Sequence, residues 1–194
     1  MNEMVMSDQT LLHSYLTGDR EAMSTLIERH RRRVFDYINM MVKDRDLADD
    51  IFQETFMRVM RFLGEGRYSE SGKFLSWVLR IAHNQVIDHY RQKRGDRHLP
   101  ESELGYDIVN TTRLADSTIE ERIVALQIDE DVRRLIEMLP DEQREVIYLR
   151  YFNNLRFKEI AELTNVSINT ALGRMRYALL NLRKLISEKN IQLS

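Results

Sequence analysis

The residues of this chain best suited to chemistry lie near its C-terminus, where amide, hydroxyl and guanidinium groups share one side of a predicted helix. A guanidinium can donate a pair of hydrogen bonds to a base edge, and an amide can donate one and accept one, so both groups suit the major groove of DNA. Between Val166 and Lys189 five Lys or Arg stand against a single acid, Glu188. The candidate DNA-reading face comprises Asn169, Thr170, Gly173, Arg176, Tyr177, Leu180 and Lys184.

A helix-turn-helix over residues 157–184 would position these groups. Residues 157–163 have the apolar spacing of a short helix. In the break that follows, Asn165 suits a left-handed turn and Ser167 is a natural N-cap for the second helix. The predicted packing stripe of that helix comprises Ile168, Ala171, Leu172, Met175, Leu179, Leu182 and Ile186. An amphipathic helical hairpin with a solvated basic face is the alternative interpretation.

Aromatic and basic side chains interleave over residues 74–94, FLSWVLRIAHNQVIDHYRQKR. Aromatic rings beside a basic groove can hold single-stranded nucleic acid, and each stacked base contributes about 1 to 3 kcal/mol. Capture of two or three bases would offset the melting of a short duplex, which costs ~1.4 kcal/mol per step. Phe74 and Trp77 fit a protein core at least as well, with the basic residues then forming a solvated face.

The composition is that of an all-α protein, with Gly at 7 and Pro at 2 of 194 positions. No stretch approaches the ~20 apolar residues of a membrane span, and the N-terminus lacks a signal peptide's apolar run. We therefore expect a cytoplasmic protein without membrane insertion. The chain has no Cys, which excludes disulfides and Cys-ligated zinc. The His spacing matches no catalytic or metal-binding motif, so we expect neither an enzyme nor a cofactor.

Apolar periodicity predicts two small helical domains joined by a flexible linker. The predicted helices span residues 8–16, 20–42, about 47–62, 74–94, 118–138 and 141–152, followed by the helix-turn-helix. The polar segment 64–72 contains three Gly and is predicted to be an exposed loop. Periodicity fails over 95–117, where turn-forming residues accumulate. The predicted organisation is therefore a domain over 1–94, a linker over 95–117 and a second domain over 118–194.

The formal net charge of −2 hides a strong segregation of charge along the chain. Residues 67–98 hold seven Lys or Arg against three acids. Residues 44–54 hold five acids around the single basic residue Arg45. Such a chain is suited to binding nucleic acid with one surface and a basic protein with another.

Three segments, in order, make the chain resemble the sigma-70 family of transcription initiation factors, and specifically its short extracytoplasmic-function (ECF) group. ADDIFQETFMRV, residues 48–59, resembles the family's A-x-D-L-x-Q-x-x-F pattern. Residues 74–94 resemble its F-x-x-W-L-x-x-I-A-x-N-x-x-x-D-x-x-R pattern. Residues 139–184, from LPDEQ onward, resemble the family's fourth conserved region.

The resemblance implies an alternative sigma factor that binds core RNA polymerase, opens the −10 element and reads the −35 element of promoters. It implies docking on a coiled coil of the largest polymerase subunit by Asp49, Asp50, Gln53 and Glu54. It implies −10 contacts by Trp77, Arg80, Asn84, Asp88, Arg91 and Arg94, with a flipped base held near residues 64–72. It implies −35 contacts by Asn169, Thr170, Gly173, Arg174, Arg176, Tyr177 and Lys184. Among these, Arg176 suits a guanine, whereas Arg174 and Lys184 suit phosphate. An anti-sigma factor is a further expected partner.

Leu172 and Gly173 depart from the family pattern, in which many relatives carry a basic residue and a Ser. This departure predicts sparse side-chain recognition there, with more weight on backbone approach and DNA shape. Two other classes fit a helix-turn-helix: a regulator that binds a palindrome as a dimer, and an adaptor that contacts only proteins. Of the three, only a sigma factor would co-purify with core polymerase, and an adaptor would show no salt-dependent DNA affinity.

Overall fold

The computed structural model describes residues 6–68, 72–93 and 130–188, and all regular structure in these ranges is helical. The elements are α1 Asp8–Leu16, α2 Arg20–Val42, α3 Arg45–Gly64, α4 Phe74–Lys93, α5 Glu130–Glu137, α6 Asp141–Ile147, a π-helical segment Tyr148–Phe152, α7 Phe157–Leu163 and α8 Ile168–Glu188. The prediction of an all-α chain with two helical domains is confirmed. The predicted linker and residues 118–129 of the next predicted helix lie outside the described residues. None of the described helices is both long enough and apolar enough to cross a bilayer.

Side-chain caps explain where the first helices begin. The Asp19 carboxylate accepts a hydrogen bond from the Glu21 backbone N–H at 3.0 Å and so caps α2. The Asp44 carboxylate accepts from the N–H groups of Asp46 and Leu47 at 3.1 and 3.2 Å. Because Asp44 caps α3, that helix begins at Arg45, two residues before its predicted start.

The N-terminal domain packs α1 to α4 around an apolar core. Leu26, Val59 and Val78, from three different helices, are fully buried at its centre. A polar bridge crosses this core, because Gln85 Nε2 donates to Thr55 Oγ1 at 2.9 Å. The Thr55 hydroxyl in turn donates to the Ile51 carbonyl at 2.7 Å, so the buried amide and hydroxyl both have partners. This bridge fixes the register of α4 against α3.

The Asp8 carboxylate attaches α1 to α2. Arg29 Nη1 donates to one Asp8 oxygen at 2.7 Å, and His30 Nε2 lies 2.8 Å from the other. His30 is buried, and its Nδ1 has no hydrogen-bond partner among the described residues. Burial lowers the pKa of His30 below 6.5; the Asp8 charge and hydrogen bond oppose this shift, and the cations of Arg33 and Arg29 add to it. The imidazole is therefore neutral in the folded protein, with its proton on Nε2.

The free energy of unfolding is expected to fall as the pH drops below 6.5. The unfolded chain then binds a proton that folded His30 resists, and stability is lost wherever the unfolded state binds more protons. Denaturant unfolding of the wild type and of His30→Gln at several pH values measures this effect. Gln can still donate to Asp8 but does not titrate, so the variant should show a shallower decline. Identical slopes for the two proteins would rule out His30 as the titrating group.

The C-terminal domain is organised around a buried arginine. Arg144, on α6, is 3% exposed, and its Nη1 donates to the carbonyls of Glu137 and Leu139 at 3.0 and 3.2 Å. These bonds satisfy carbonyl groups at the C-terminal end of α5. The predicted helix 141–152 is observed as α6 followed directly by the π-helical segment.

The helix-turn-helix has the predicted turn. Asn165 adopts a φ of +54°, in the left-handed region, which a short polar side chain tolerates. Ser167 Oγ accepts from the Thr170 N–H at 3.0 Å, so Ser167 caps α8 as predicted. Val166 N–H donates to the Ala161 carbonyl at 3.0 Å, which brings the end of α7 close to the start of α8.

The prediction that Ile168 and Leu172 belong to the packing stripe of α8 is wrong. They are 46% and 44% exposed, whereas Ala171 and Met175 are buried. Leu172 precedes Met175 by three residues, which at ~100° per residue turns it about 60° away from the packed side. Ile168 is the first residue of the helix, where no neighbouring element covers it. Two apolar side chains therefore join the polar face.

The two domains contact each other through a buried polar cluster. The Tyr37 hydroxyl, on α2, donates to Glu145 Oε1, on α6, at 2.6 Å. His83 Nδ1, on α4, lies 3.0 Å from the same oxygen and 2.9 Å from the Tyr37 hydroxyl. Burial, together with the Glu145 carboxylate, raises the pKa of Tyr37 well above 10, so the phenol keeps the proton that it donates. Two further ion pairs join the domains, the exposed pair of Lys43 with Asp141 at 3.8 Å and the pair of Lys73 with the half-buried Glu159 at 3.7 Å.

Candidate nucleic-acid interface

The predicted DNA-reading face of α8 is largely open to solvent. Asn169, Arg176, Tyr177 and Lys184 are exposed. Thr170 is half-buried, because its hydroxyl lies 2.8 Å from Ser167 Oγ at the N-cap. Four of the seven predicted side chains therefore offer polar groups on one side of the helix.

Arg174 lies apart from that group. Its guanidinium turns back toward α6, where Nη2 lies 3.9 Å from a carboxylate oxygen of Glu142, and its side chain is 25% exposed. Lys184 is exposed and within 3.7 Å of Glu188. The structure thus separates Arg174 from the base-reading side chains and leaves it at the flank of the helix.

Gly173 has no packing reason to lack a side chain. A Cβ built on it would meet no heavy atom within 4 Å. The backbone at Gly173 is helical, a conformation that any residue except Pro adopts, and Gly costs about 1 kcal/mol relative to Ala within a helix. Its place beside Asn169 and Arg176 therefore favours a close approach by a partner as the reason for this residue.

A second face lies along α4, where the predicted residues recur at intervals of three and four. Arg80, Asn84, Asp88 and Arg91 are exposed, and Arg91 lies 3.9 Å from Asp88. Trp77 begins the row and is half-buried. Arg94, the last predicted member of this group, lies outside the described residues. The structure brings the other five onto one side of the helix.

The aromatic residues at the start of α4 divide between the core and the surface. Phe74 is 2% exposed, so it is a core residue. The Trp77 ring stacks at an angle on Tyr68, with their centroids 4.4 Å apart. Trp77 therefore belongs in part to the core, and its remaining surface faces a cavity between the domains.

That cavity has a volume of about 330 Å³. Its walls are Arg67, Tyr68, Lys73, Ser76, Trp77 and Arg80 from the N-terminal domain, and Glu159, Glu162 and Leu163 from α7. Cations and aromatic rings on one side thus face two carboxylates on the other. The described part of the predicted base-binding loop, residues 64–68, contributes Arg67 and Tyr68.

A third face, on α3, is acidic. Asp49, Asp50 and Gln53 are exposed, and Glu54 is paired with Arg58 at 2.8 Å. Met57 extends this face by one helical turn and is 61% exposed. An exposed Met beside carboxylates is typical of a protein-binding surface.

Sequence reasoning missed Met57 and the interdomain cluster of Tyr37, His83 and Glu145. Met57 stands four residues after Gln53 on a polar row, a signal that the sequence does carry. The cluster has no local signal, since Tyr37 and Glu145 are 108 positions apart.

Two family models match the chain, sigma-70 region 2 over residues 26–95 and sigma-70 region 4 over residues 129–180. The chain belongs to the sigma-70 family. The first match covers the α3 and α4 faces of this sigma factor, and the second covers its helix-turn-helix. Curated relatives place it in the ECF group, and it is an alternative, promoter-recognising sigma factor.

These relatives match the sigma factor over most of its length. It is 29% identical over 170 residues to the ECF RNA polymerase sigma factor SigW of Bacillus subtilis, covering 86% of this chain and 90% of that protein. It is 28% identical over 173 residues to the RNA polymerase sigma-H factor of Pseudomonas aeruginosa, covering 87% and 88%.

Solved structures share its fold. CnrH, in complex with the cytosolic domain of CnrY, superposes with a TM-score of 0.62 at 20% identity, covering 93% of this chain and 97% of that one. The sigma factor RpoE of Bartonella quintana, in complex with the anti-sigma factor NepR, gives a TM-score of 0.59 at 17% identity, covering 84% and 96%.

Proposed function

We propose that this sigma factor docks on core RNA polymerase through the α3 face, engages and opens the −10 element through the α4 face, and reads the −35 element through α8. The observation that carries the proposal is the segregation of charge over three exposed helix faces, one acidic and two rich in cations and amides. The proposal involves no catalysis by the chain and no cofactor.

The α3 face is suited to a basic helical partner. Asp49, Asp50 and Gln53 offer acceptors to solvent, and Met57 supplies an exposed apolar side chain one turn beyond them. A buried apolar anchor ringed by polar groups is the usual arrangement of an energetically important contact. We assign this face to a coiled coil of the largest polymerase subunit, as in the sigma family.

The α4 face is suited to DNA whose bases have left the stack. Arg80 and Arg91 bring positive charge for the backbone, and Asn84 and Asp88 bring hydrogen-bonding groups for bases. At one end the cavity beside Trp77 and Tyr68 has the size of a ligand pocket and an aromatic wall on which a base can stack. We assign this cavity to a flipped base of the −10 element.

The α8 face is suited to the major groove. Arg176 and Asn169 can each make paired hydrogen bonds to a base edge, and Gly173 between them lets the helix approach closely. Lys184 lies about two turns beyond Arg176, where phosphate contact is expected. Arg174 would reach phosphate only after leaving Glu142.

Promoter engagement then requires the two domains to separate. In the structure Glu159 and Glu162 stand on the wall opposite Trp77 and Arg80, where a nucleotide would enter. Once polymerase holds the domains on the duplex, binding to one element raises the effective concentration of the other domain at the second element.

An anti-sigma factor is the further partner that we propose. One solved structure with this fold is such a complex, RpoE with the anti-sigma factor NepR, and CnrH was also solved with a protein partner, the cytosolic domain of CnrY. Co-expression with the product of a neighbouring gene, followed by transcription assays, tests whether such a protein inhibits this chain.

Reconstitution tests the proposal directly. The purified chain, added to core polymerase, should form a stable complex and start transcription at promoters selected from a randomised library. A dimeric regulator would bind duplex without polymerase, and an adaptor would bind neither DNA nor a promoter complex. Failure of the purified chain to form a complex with core polymerase would contradict the proposal.

Arg176→Ala is expected to weaken promoter use through the −35 element, by about 1 to 3 kcal/mol if the guanidinium makes a paired contact to guanine. Transcription should fall on the selected promoter and change little on a promoter whose −35 sequence is altered. Equal losses on both templates would contradict the assignment. Arg183→Ala is the control for loss of charge, since Arg183 is also exposed but lies two turns further along α8, where contact is with phosphate, so any loss should be equal on the two templates.

Gly173→Ala is expected to have opposite effects on stability and function. Ala should stabilise α8 by about 1 kcal/mol, because none of the residues that the structure describes obstructs the added methyl group. The same methyl group would stand between the helix and the groove floor, so −35-dependent transcription should fall. Thermal unfolding and transcription of the same preparation measure the two effects. Unchanged transcription would show that close approach at Gly173 is not required.

A further inference from the structure

An apolar row accompanies Arg176 on the exposed side of α8. Ile168, Leu172, Arg176 and Leu180 follow one another at intervals of four residues, so their side chains lie on one side of the helix. The three apolar members are 46%, 44% and 48% exposed. Their packing partner is therefore absent from the described part of the chain.

The charges around this row favour DNA as that partner. Arg176, Arg183 and Lys184 are exposed beside it. No Asp or Glu occurs between Ile168 and Ser187, and the one carboxylate of this helix is that of its last residue, Glu188, far from the row's first members. An excess of cations along the row is what a helix in the major groove requires, because the phosphates on both sides of the groove are negative.

We infer that Leu172 is a specificity-determining residue that contacts the methyl group of a thymine in the −35 element. This inference rests on the proposed role of α8. The thymine methyl is the apolar group that bases present in the major groove, and apolar side chains recognise it. Leu172 lies one turn from the start of α8, in the part of a recognition helix that reaches base edges. Leu180 lies ~12 Å further along the axis, at 1.5 Å per residue, beyond that part.

The test removes the methyl group without changing base pairing. A −35 element is first selected with holoenzyme from a randomised library, and each of its thymines, on either strand, is then replaced singly by deoxyuridine. Holoenzyme affinity should fall about fourfold at one position, as expected when one buried methyl contact is lost. With holoenzyme carrying Leu172→Ala, the same replacement should have no effect.

Leu180→Ala is the matched control, since the residue type, exposure and helix side are the same. Holoenzyme with this variant should keep the deoxyuridine effect. If no −35 element is selected at all, the proposed role of α8 fails. If an element is selected but contains no thymine, or no deoxyuridine weakens binding, the inference about Leu172 is overturned. It is also overturned if holoenzyme carrying Leu172→Ala still loses affinity in full on deoxyuridine replacement. Leu172 would then be assigned to contact with a protein.

Discussion

Combining Asp50→Lys with Gln53→Ala is expected to reduce the affinity of this sigma factor for core polymerase by about 2 kcal/mol or more, some 30-fold. Both side chains are exposed, and neither makes a hydrogen bond or ion pair within the described residues. The fold should therefore be unaffected, while a basic partner meets a cation in place of a carboxylate. Titration of labelled protein with core polymerase measures the loss, and circular dichroism checks the fold.

Glu28→Lys is the control for the change in net charge. Glu28 is exposed on α2, where its only ion pair, among those seen in the described ranges, is with Arg31 at 3.7 Å. This variant should bind polymerase as the wild type does, which separates a local effect from general electrostatic attraction. If the α3 double variant also binds normally, docking does not use this face. Met57→Ala should weaken binding without any change of charge, because it removes the exposed apolar side chain of the α3 face.

Local features of the chain were predictable from the sequence. The approximate bounds predicted for α1 and α2 agree with the observed ones, since Gly18 interrupts the apolar periodicity and Asp19 caps the helix in which it resumes. The turn at Asn165 and the cap at Ser167 were also predicted correctly. Each depends on the hydrogen bonds and torsion angles of a few neighbouring residues, which a linear pattern records.

Features that depend on packing were not predictable in the same way. Periodicity placed Leu172 on the buried stripe, but burial at the edge of a stripe depends on whether another helix covers that edge. Similarly, the sequence predicts an exposed Arg174, whereas the structure supplies Glu142 as its neighbour. Side-chain spacing therefore predicted the α4 face well and the α8 face incompletely.

The interdomain contact is the largest feature that the sequence did not reveal. Glu145 is 6% exposed, and both of its polar partners, Tyr37 and His83, belong to the other domain. A buried carboxylate with two donors is satisfied, yet the desolvation that accompanies burial offsets most of the gain. When the domains separate, water molecules can donate to Glu145 in place of Tyr37 and His83. Breaking this polar contact therefore costs little free energy.

Locking the two domains together is expected to abolish promoter-dependent transcription. The chain contains no Cys, so Ser76→Cys on α4 and Glu162→Cys on α7 introduce a single pair of thiols at the cavity between the domains. A reducible bifunctional thiol reagent would join them. Because the −10 and −35 surfaces could then no longer engage together, promoter affinity should drop about 100-fold or more, and reduction of the cross-link should restore it.

The single-cysteine variants, treated with the same reagent, control for added bulk beside Trp77. Their loss of activity should be clearly smaller than that of the cross-linked protein, because a modified side chain on one domain leaves the domains free to part; a modified Ser76→Cys alone reports the effect of bulk in the cavity. Glu145→Gln tests the same interdomain contact by weakening it, whereas the cross-link holds it closed. The neutral amide is a weaker acceptor for Tyr37 and His83, so small-angle scattering should record a larger radius of gyration for the variant.

A cross-linked protein that transcribes as well as the reduced one would show that DNA reaches the α4 face without domain opening. The closed arrangement would then be the one that polymerase binds.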